Sequence, residues 1–187
     1  RSRGGVRIAS REEFGMLSEK IQDALNRQLN NEYASAYTYL SLAAYFEDLD
    51  LNGFAHWMKI QYHEELVHAD KIYEFVNDRD GRVQLLALVA PKSDWTSPLD
   101  AFKFALAGER NLSAAIYQVV DTAVAERDHA THAFMQWFVN EQVEEEAIVR
   151  DIVSDMERVV ESRDGLFLID RELAGRTPQQ GQDIRIL

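Results

Sequence analysis

The chain contains no cysteine and only three prolines among its 187 residues. Without cysteine it can form no disulfide, no zinc–thiolate site and no iron–sulfur cluster. The prolines, Pro91, Pro98 and Pro178, leave long stretches without the residue that interrupts helices. No apolar run approaches the roughly 18 residues expected of a transmembrane helix. These absences favour an all-helical domain, and we expect a cytoplasmic location.

Positive charge is also scarce, because 20 Lys and Arg stand against 32 Asp and Glu, which gives a net charge of -12. This balance disfavours binding to nucleic acid or to anionic membranes, and it favours solubility or the handling of cations. The N-terminal segment 1–8 is basic but lacks the apolar stretch of a signal peptide.

Apolar residues recur at helical spacing along four stretches of roughly 30 residues, which predicts four long helices. These run over 18–48, over 52–80, from Pro98 onward and over 128–163, and Gly165 is predicted to end the last of them. A short fifth helix is predicted over 166–173. The sequence therefore predicts an all-α four-helix bundle over 18–175, with a flexible extension at 1–17 and a flexible tail at 176–187.

The connection over residues 81–97 is long enough to let the third helix start from the far end of the bundle. Within it, segment 85–90 is apolar like a strand, but no second strand is available to pair with it. We expect this segment to cover a helix or to meet another subunit.

Glu65 and His68 are three residues apart, so they share one face of the second predicted helix. Both fall on its apolar stripe, where an ionised group needs a partner or a metal ion. An inward-facing Glu-x-x-His is typical of first-row metal sites in helical bundles. The motif therefore indicates a metal site inside the bundle.

Each of the other long helices also places an acid on its apolar face. These acids are Glu32, Glu109 and Glu145, and Gln142 shares the face of Glu145. Taken alone, Glu32 can reach water from the stripe edge, and the acidic run 144–146 can be a solvated surface. Together with the acid of the second helix, however, the inward carboxylates number four, and no Lys or Arg on these stripes can neutralise them.

Four carboxylates match the charge of two divalent cations, which predicts a dinuclear metal centre. Oxygen-rich ligation with one imidazole suits iron or manganese better than zinc. Glu65 and Glu109 are the candidates for a carboxylate that bridges the two ions.

The chain is similar to the non-haem ferritins of bacteria and archaea over about residues 18–175. The matching stretches are Leu29-Asn30-Asn31-Glu32-Tyr33, Glu64-Glu65-Leu66-Val67-His68, Gly108-Glu109-Arg110 and Trp137-Phe138-Val139-Asn140-Glu141-Gln142-Val143-Glu144-Glu145-Glu146. The last stretch is highly specific to that family. The resemblance implies a ferroxidase centre, with one iron held by Glu32, Glu65 and His68, and a second held by Glu65, Glu109 and Gln142, with Glu145 close by.

The resemblance also implies a third, weaker iron position, made from Glu64, Glu141, Glu144 and Glu145. Tyr39 and Trp137 match family residues beside the centre that can supply an electron to oxygen. The implied reaction is the oxidation of Fe(II) by oxygen or peroxide. The implied product is a hydrated ferric oxide inside a homo-oligomeric shell, typically of twenty-four subunits.

Two departures from related families narrow this expectation. Leu66 stands where a haem-binding methionine would be, so no haem is expected, and the fourth helix carries Gln142 and Glu145 in place of a second Glu-x-x-His.

Two other functions remain open. One is a di-iron oxidase or peroxidase that keeps its iron as a cofactor, and the other is a non-catalytic metal buffer or cage.

Overall fold

The computed structural model describes residues 17–159 and 162–178, although the Arg163 side chain is not described. These ranges form five helices and no strand: α1 (Glu19–Asp48), α2 (Asn52–Asp78), α3 (Pro98–Ala125), α4 (His129–Arg158) and α5 (Arg163–Leu173). This confirms the predicted all-α bundle of four long helices, a long crossover between α2 and α3, and a short fifth helix. None of these helices is long and apolar enough to cross a membrane. The predicted extension, apart from Leu17, and residues 179–187 of the predicted tail lie outside the described residues.

Local capping fixes where the helices begin. The Ser18 hydroxyl accepts a hydrogen bond from the Ile21 amide at the start of α1, and the Ser97 hydroxyl accepts from the Asp100 amide at the start of α3. A three-residue connection joins α1 to α2, which makes these two helices antiparallel neighbours. α1 packs mainly against α2, α3 packs mainly against α4, and α1 also contacts α3.

Side chains of α1 hold the start of the crossover, which consists of residues 81–97. Asn26 donates to the Arg82 carbonyl (3.0 Å) and accepts from the Gln84 amide (2.8 Å). Asn30 repeats this pattern with the Gln84 carbonyl (2.8 Å) and the Leu86 amide (2.7 Å). Four residues of a helix rise about 6 Å, close to the roughly 6.6 Å that two residues of an extended chain span. The two amide side chains therefore provide the pairing that a strand would otherwise need.

Two apolar cores fill the bundle, one on either side of its middle. One contains Phe46, Phe54 and Phe102, and the other contains Leu29 and Ile72. On every long helix, the buried glutamates fall between the positions that contribute to these two cores. Helical periodicity therefore brings the buried glutamates of all four helices together at mid-length.

The end of α4 differs from the sequence prediction. α4 ends at Arg158 rather than near Arg163, and Gly165, predicted to stop it, lies inside α5. The Ser162 hydroxyl accepts from the Gly165 amide and opens the new helix. A Cβ at position 165 would lie 2.6 Å from the Val159 Cβ, so glycine is needed because the first turn of α5 lies directly against the end of α4.

α5 is docked on the first turn of α2. The Asp170 carboxylate accepts from the amides of Gly53 (2.8 Å) and Phe54 (3.1 Å), two donors that the helix itself leaves unpaired. A Cβ on Gly53 would lie 1.6 Å from the Asp170 carbonyl oxygen, so only glycine allows this approach. The contact sets the direction in which the chain leaves α5.

Candidate metal centre

Six residues with metal-binding side chains meet between the two apolar cores, and all of them are buried. They are Glu32 from α1, Glu65 and His68 from α2, Glu109 from α3, and Gln142 and Glu145 from α4. The structure therefore brings together the residues that the sequence predicted for the two-iron site.

Glu32, Glu65 and His68 form the tightest group. One ligand atom from each lies within 4.8 Å of the other two. His68 Nδ1 is 3.5 Å from Glu65 Oε2 and 3.9 Å from Glu32 Oε2, and neither of these oxygens has a hydrogen-bond partner among the described residues. Gln28 donates to the other oxygen of Glu32 at 2.7 Å and orients that carboxyl. Two unpaired buried oxygens facing one imidazole nitrogen form a donor set that could hold a metal ion.

The electrostatics of this group also favour a cation. Burial, followed by the charge of Glu65, raises the pKa of Glu32 well above its usual value. Burial, followed by the charge of Glu109, does the same to the pKa of Glu65. A divalent ion removes the same repulsion without protonation, because it favours the charged carboxylates.

Glu109 lies on the α3 side of the centre and is held by two donors. The Tyr39 hydroxyl donates to Glu109 Oε1, and the Gln142 amide donates to Oε2 at 3.1 Å and to the Glu109 carbonyl at 3.2 Å. Burial raises the pKa of Glu109, and the Tyr39 and Gln142 donors partly offset the rise. Tyr39, predicted beside the centre, is thus placed in direct contact with one of its acids.

Gln142 faces Glu109 with its NH₂ group, which also lies 3.3 Å from the Ser113 hydroxyl. An amide nitrogen has no free lone pair for a metal ion, so in this orientation the Gln142 NH₂ group positions Glu109, and metal ligation by Gln142 stays a prediction. Ligation through its oxygen requires the amide to turn. Sequence reasoning missed Ser113, because a small polar residue on a helix carries no spacing signal of its own.

Glu145 completes the group from α4. Gln61 donates to its Oε2 at 3.0 Å, and Oε1 has no hydrogen-bond partner among the described residues. Burial, together with the charges of Glu109 and Glu64, raises the pKa of Glu145 to about 8. Gln61 is a fully buried residue of α2.

The residues predicted for a third iron position differ in how deeply they are buried. Glu64 is fully buried, Glu141 is nearly so, and Glu144 is exposed. Arg176 Nη2 lies 2.6 Å from Glu64 Oε2. As predicted, the apolar faces of the long helices carry no Lys or Arg that could neutralise the acids. The cation beside Glu64 is instead Arg176, at the start of the predicted tail, and helical spacing could not indicate it because it lies outside the helices.

Trp137 lies between His68 and the surface. Its ring meets the His68 ring edge-on, with centroids 5.3 Å apart, and it is partly exposed. The Lys71 ammonium lies 4.5 Å from the centroid of the same ring. The predicted neighbour of the centre is therefore adjacent to one of the candidate ligands.

Comparison with known proteins gives the same picture over most of the chain. A family model described as "Ferritin-like domain" matches residues 22–159. The chain is 38% identical to a bacterial non-haem ferritin of Staphylococcus aureus (strain MRSA252) over 162 residues, which cover 87% of this chain and 98% of that protein.

Solved structures agree with this assignment. An engineered closed form of the Archaeoglobus fulgidus ferritin superposes with a TM-score of 0.86 at 47% identity, covering 87% of this chain and 99% of that one. The open-pore ferritin of the same archaeon gives a TM-score of 0.85 at 47% identity, covering 86% of this chain and 98% of that one. With its bundle, its mid-length acids and these matches, the chain belongs to the ferritin family of iron-storage proteins.

Proposed function

We propose that this protein oxidises Fe(II) to Fe(III) at a dinuclear centre and stores the ferric product. The observation that carries the proposal is the set of buried, unpaired carboxylate oxygens that face His68 Nδ1. Without cations, Glu32, Glu65, Glu109 and Glu145 are like charges packed in a site that excludes water, an arrangement that costs several kcal/mol per unpaired ion. Two ferrous ions balance these four carboxylates.

The two ferrous ions are the substrate, and each has its own set of residues. Glu32, Glu65 and His68 bind the first ion, and Glu65 and Glu109 bind the second, with Glu145 beside it. Tyr39 and Gln142 keep Glu109 in place through their hydrogen bonds. Two Fe(II) give two electrons to dioxygen, which takes up two protons and leaves as hydrogen peroxide. Tyr39 and Trp137 are close enough to the centre to supply a further electron.

Storage requires that the ferric product leaves the centre and accumulates. We propose that subunits assemble into a homo-oligomeric shell, of twenty-four copies by resemblance to the family, and that hydrated ferric oxide fills it. The net charge of -12 favours steering of Fe(II) to the protein. Relatives named as ferritins favour this storage role over an oxidase that keeps its iron. A cytoplasmic location and the absence of haem stay predictions.

The catalytic proposal is tested by the rate at which ferric absorbance appears after Fe(II) is mixed with aerated protein. We expect Glu65→Ala combined with His68→Ala to abolish the fast initial phase. Glu74→Ala combined with His63→Ala is the matched control, because it removes the same two residue types from α2 outside the centre. Equal initial rates for wild type and the Glu65/His68 variant contradict ferroxidase activity at this site.

The storage proposal is tested separately by sizing particles after iron loading. A large particle that takes up hundreds of irons supports storage. A small oligomer that binds iron only in stoichiometric amounts contradicts storage and points to a retained cofactor.

A further inference from the structure

Arg176 follows α5 and reaches back into the bundle towards the acids of the candidate centre. Its Nη2 lies 2.6 Å from Glu64 Oε2, with the arginine side chain 13% exposed and the glutamate fully buried. The charge of Arg176 also acts on Glu145, where it opposes the rise in pKa caused by burial. One cation from outside the four-helix bundle therefore faces two of the acids that the family resemblance assigns to a third iron position.

The path of the arginine is fixed by the rest of the fold. Asp170 anchors α5 to the first turn of α2. The Arg176 guanidinium then lies 4.5 Å from the Trp57 ring centroid, and its backbone carbonyl lies 3.0 Å from His56 Nε2. An arginine positioned by packing, stacking and a backbone contact is a built part of the site.

The ion pair uses only one arm of the guanidinium. Nη1 of Arg176 is buried and has no hydrogen-bond partner among the described residues. A ferrous ion on Glu64 Oε2 would face the guanidinium charge at contact distance. The arginine and a cation on this oxygen therefore exclude each other, and the one-armed contact leaves the arginine replaceable.

We propose that Arg176 is a built-in counter-ion that occupies the third cation position of this protein. The inference rests on the proposed dinuclear centre. While Arg176 is paired with Glu64, a subunit binds two ferrous ions, and a third ion binds with Glu64 only when the arginine has left. The pairing of Arg176 with Glu64 thus decides whether a subunit binds two or three ferrous ions.

The test counts Fe(II) bound per subunit of the full-length protein, by equilibrium dialysis without oxygen. We expect two ions for wild type and three for Arg176→Gln. Arg158→Gln is the matched control, because it removes an arginine that pairs with Asp155 at 2.7 Å on the exposed surface. This control should bind two ions, like the wild type.

Other results decide against the proposal. Three ions in wild type, or the same number in wild type and Arg176→Gln, overturn it. If wild type binds fewer than two ions, the dinuclear centre is wrong. The role of Arg176 is then still decided by whether Arg176→Gln gains one ion.

A second variant gives an answer even if Arg176→Gln does not fold. In the wild-type background Glu64→Gln should leave the number of bound ions unchanged, because the arginine already occupies that oxygen. In the Arg176→Gln background the same change should remove the gained ion. Loss of an ion on Glu64→Gln in the wild-type background overturns the proposal.

Discussion

Replacing Glu145 by Gln should make the stability of the metal-free protein less dependent on pH. The Glu145 side chain is 1% exposed, and burial together with Glu109 and Glu64 raises its pKa from 4.5 to about 8. Glutamine matches the protonated acid in size and keeps an oxygen that can accept from Gln61. The substitution therefore removes the titration and retains the packing.

The sign and size of the effect follow from linkage between protonation and folding. Because the folded-state pKa is raised, the stability that the protonated Glu145 provides is complete below about pH 4.5 and is lost as the pH rises through about 8. The folded-state pKa of Glu145 lies about 3.5 above its usual value, and each pH unit corresponds to about 1.4 kcal/mol, so the stability lost has an upper limit of about 5 kcal/mol. The free energy of unfolding of Glu145→Gln should thus exceed that of wild type by up to this amount at about pH 9 and by little at about pH 4.5.

The assay is denaturant unfolding of chelator-treated protein between about pH 5 and about pH 9, with the exposed Glu74→Gln as control. Adding Fe(II) without oxygen should stabilise wild type more than Glu145→Gln, because the ion favours the charged carboxylate. A difference in unfolding free energy between Glu145→Gln and wild type that is the same at both ends of the pH range refutes the reasoning.

Three further changes test the fold. Asn30→Ala removes two hydrogen bonds to the crossover and should lower the free energy of unfolding by about 1–3 kcal/mol. Amide exchange at Leu86 should become faster, and an unchanged rate there contradicts the prediction. Asp170→Ala removes the cap on α2 and should cost about 1–2 kcal/mol, which a thermal-unfolding comparison with exposed Asp151→Ala checks. Phe102→Ala empties the core beside three aromatic rings and should cost about 3–5 kcal/mol in denaturant titration, whereas a loss under 1 kcal/mol contradicts the packing described.

The four long helices and their inward acids could be predicted from the sequence because both depend on local periodicity. A glutamate seven residues from apolar neighbours on each side, such as Glu32, must share their face of the helix. The start of α3 was equally local, since Ser97 and Pro98 carry the capping signal themselves. Convergence of the acids then followed from the bundle.

What the sequence did not predict depends on contacts between distant segments. The break between α4 and α5 rests on the close approach of Val159 and Gly165, which spacing cannot reveal. The pairing of Arg176 with Glu64 joins residues 112 positions apart. The extended crossover looked like a strand without a partner, because no rule for strands anticipates pairing with side chains of a helix.

Because the acids lie between two apolar cores, each long helix has two apolar end segments and an acidic middle segment. Ions would bind only at the middle segment. The empty and filled forms should therefore differ in amide-exchange protection mainly over the middle one or two turns of each helix. The ends, held by aromatic and aliphatic packing, keep their shape in both forms. Under the proposed storage function, ions would therefore be loaded and released at the middle of the subunit while the packing at its two ends stays unchanged.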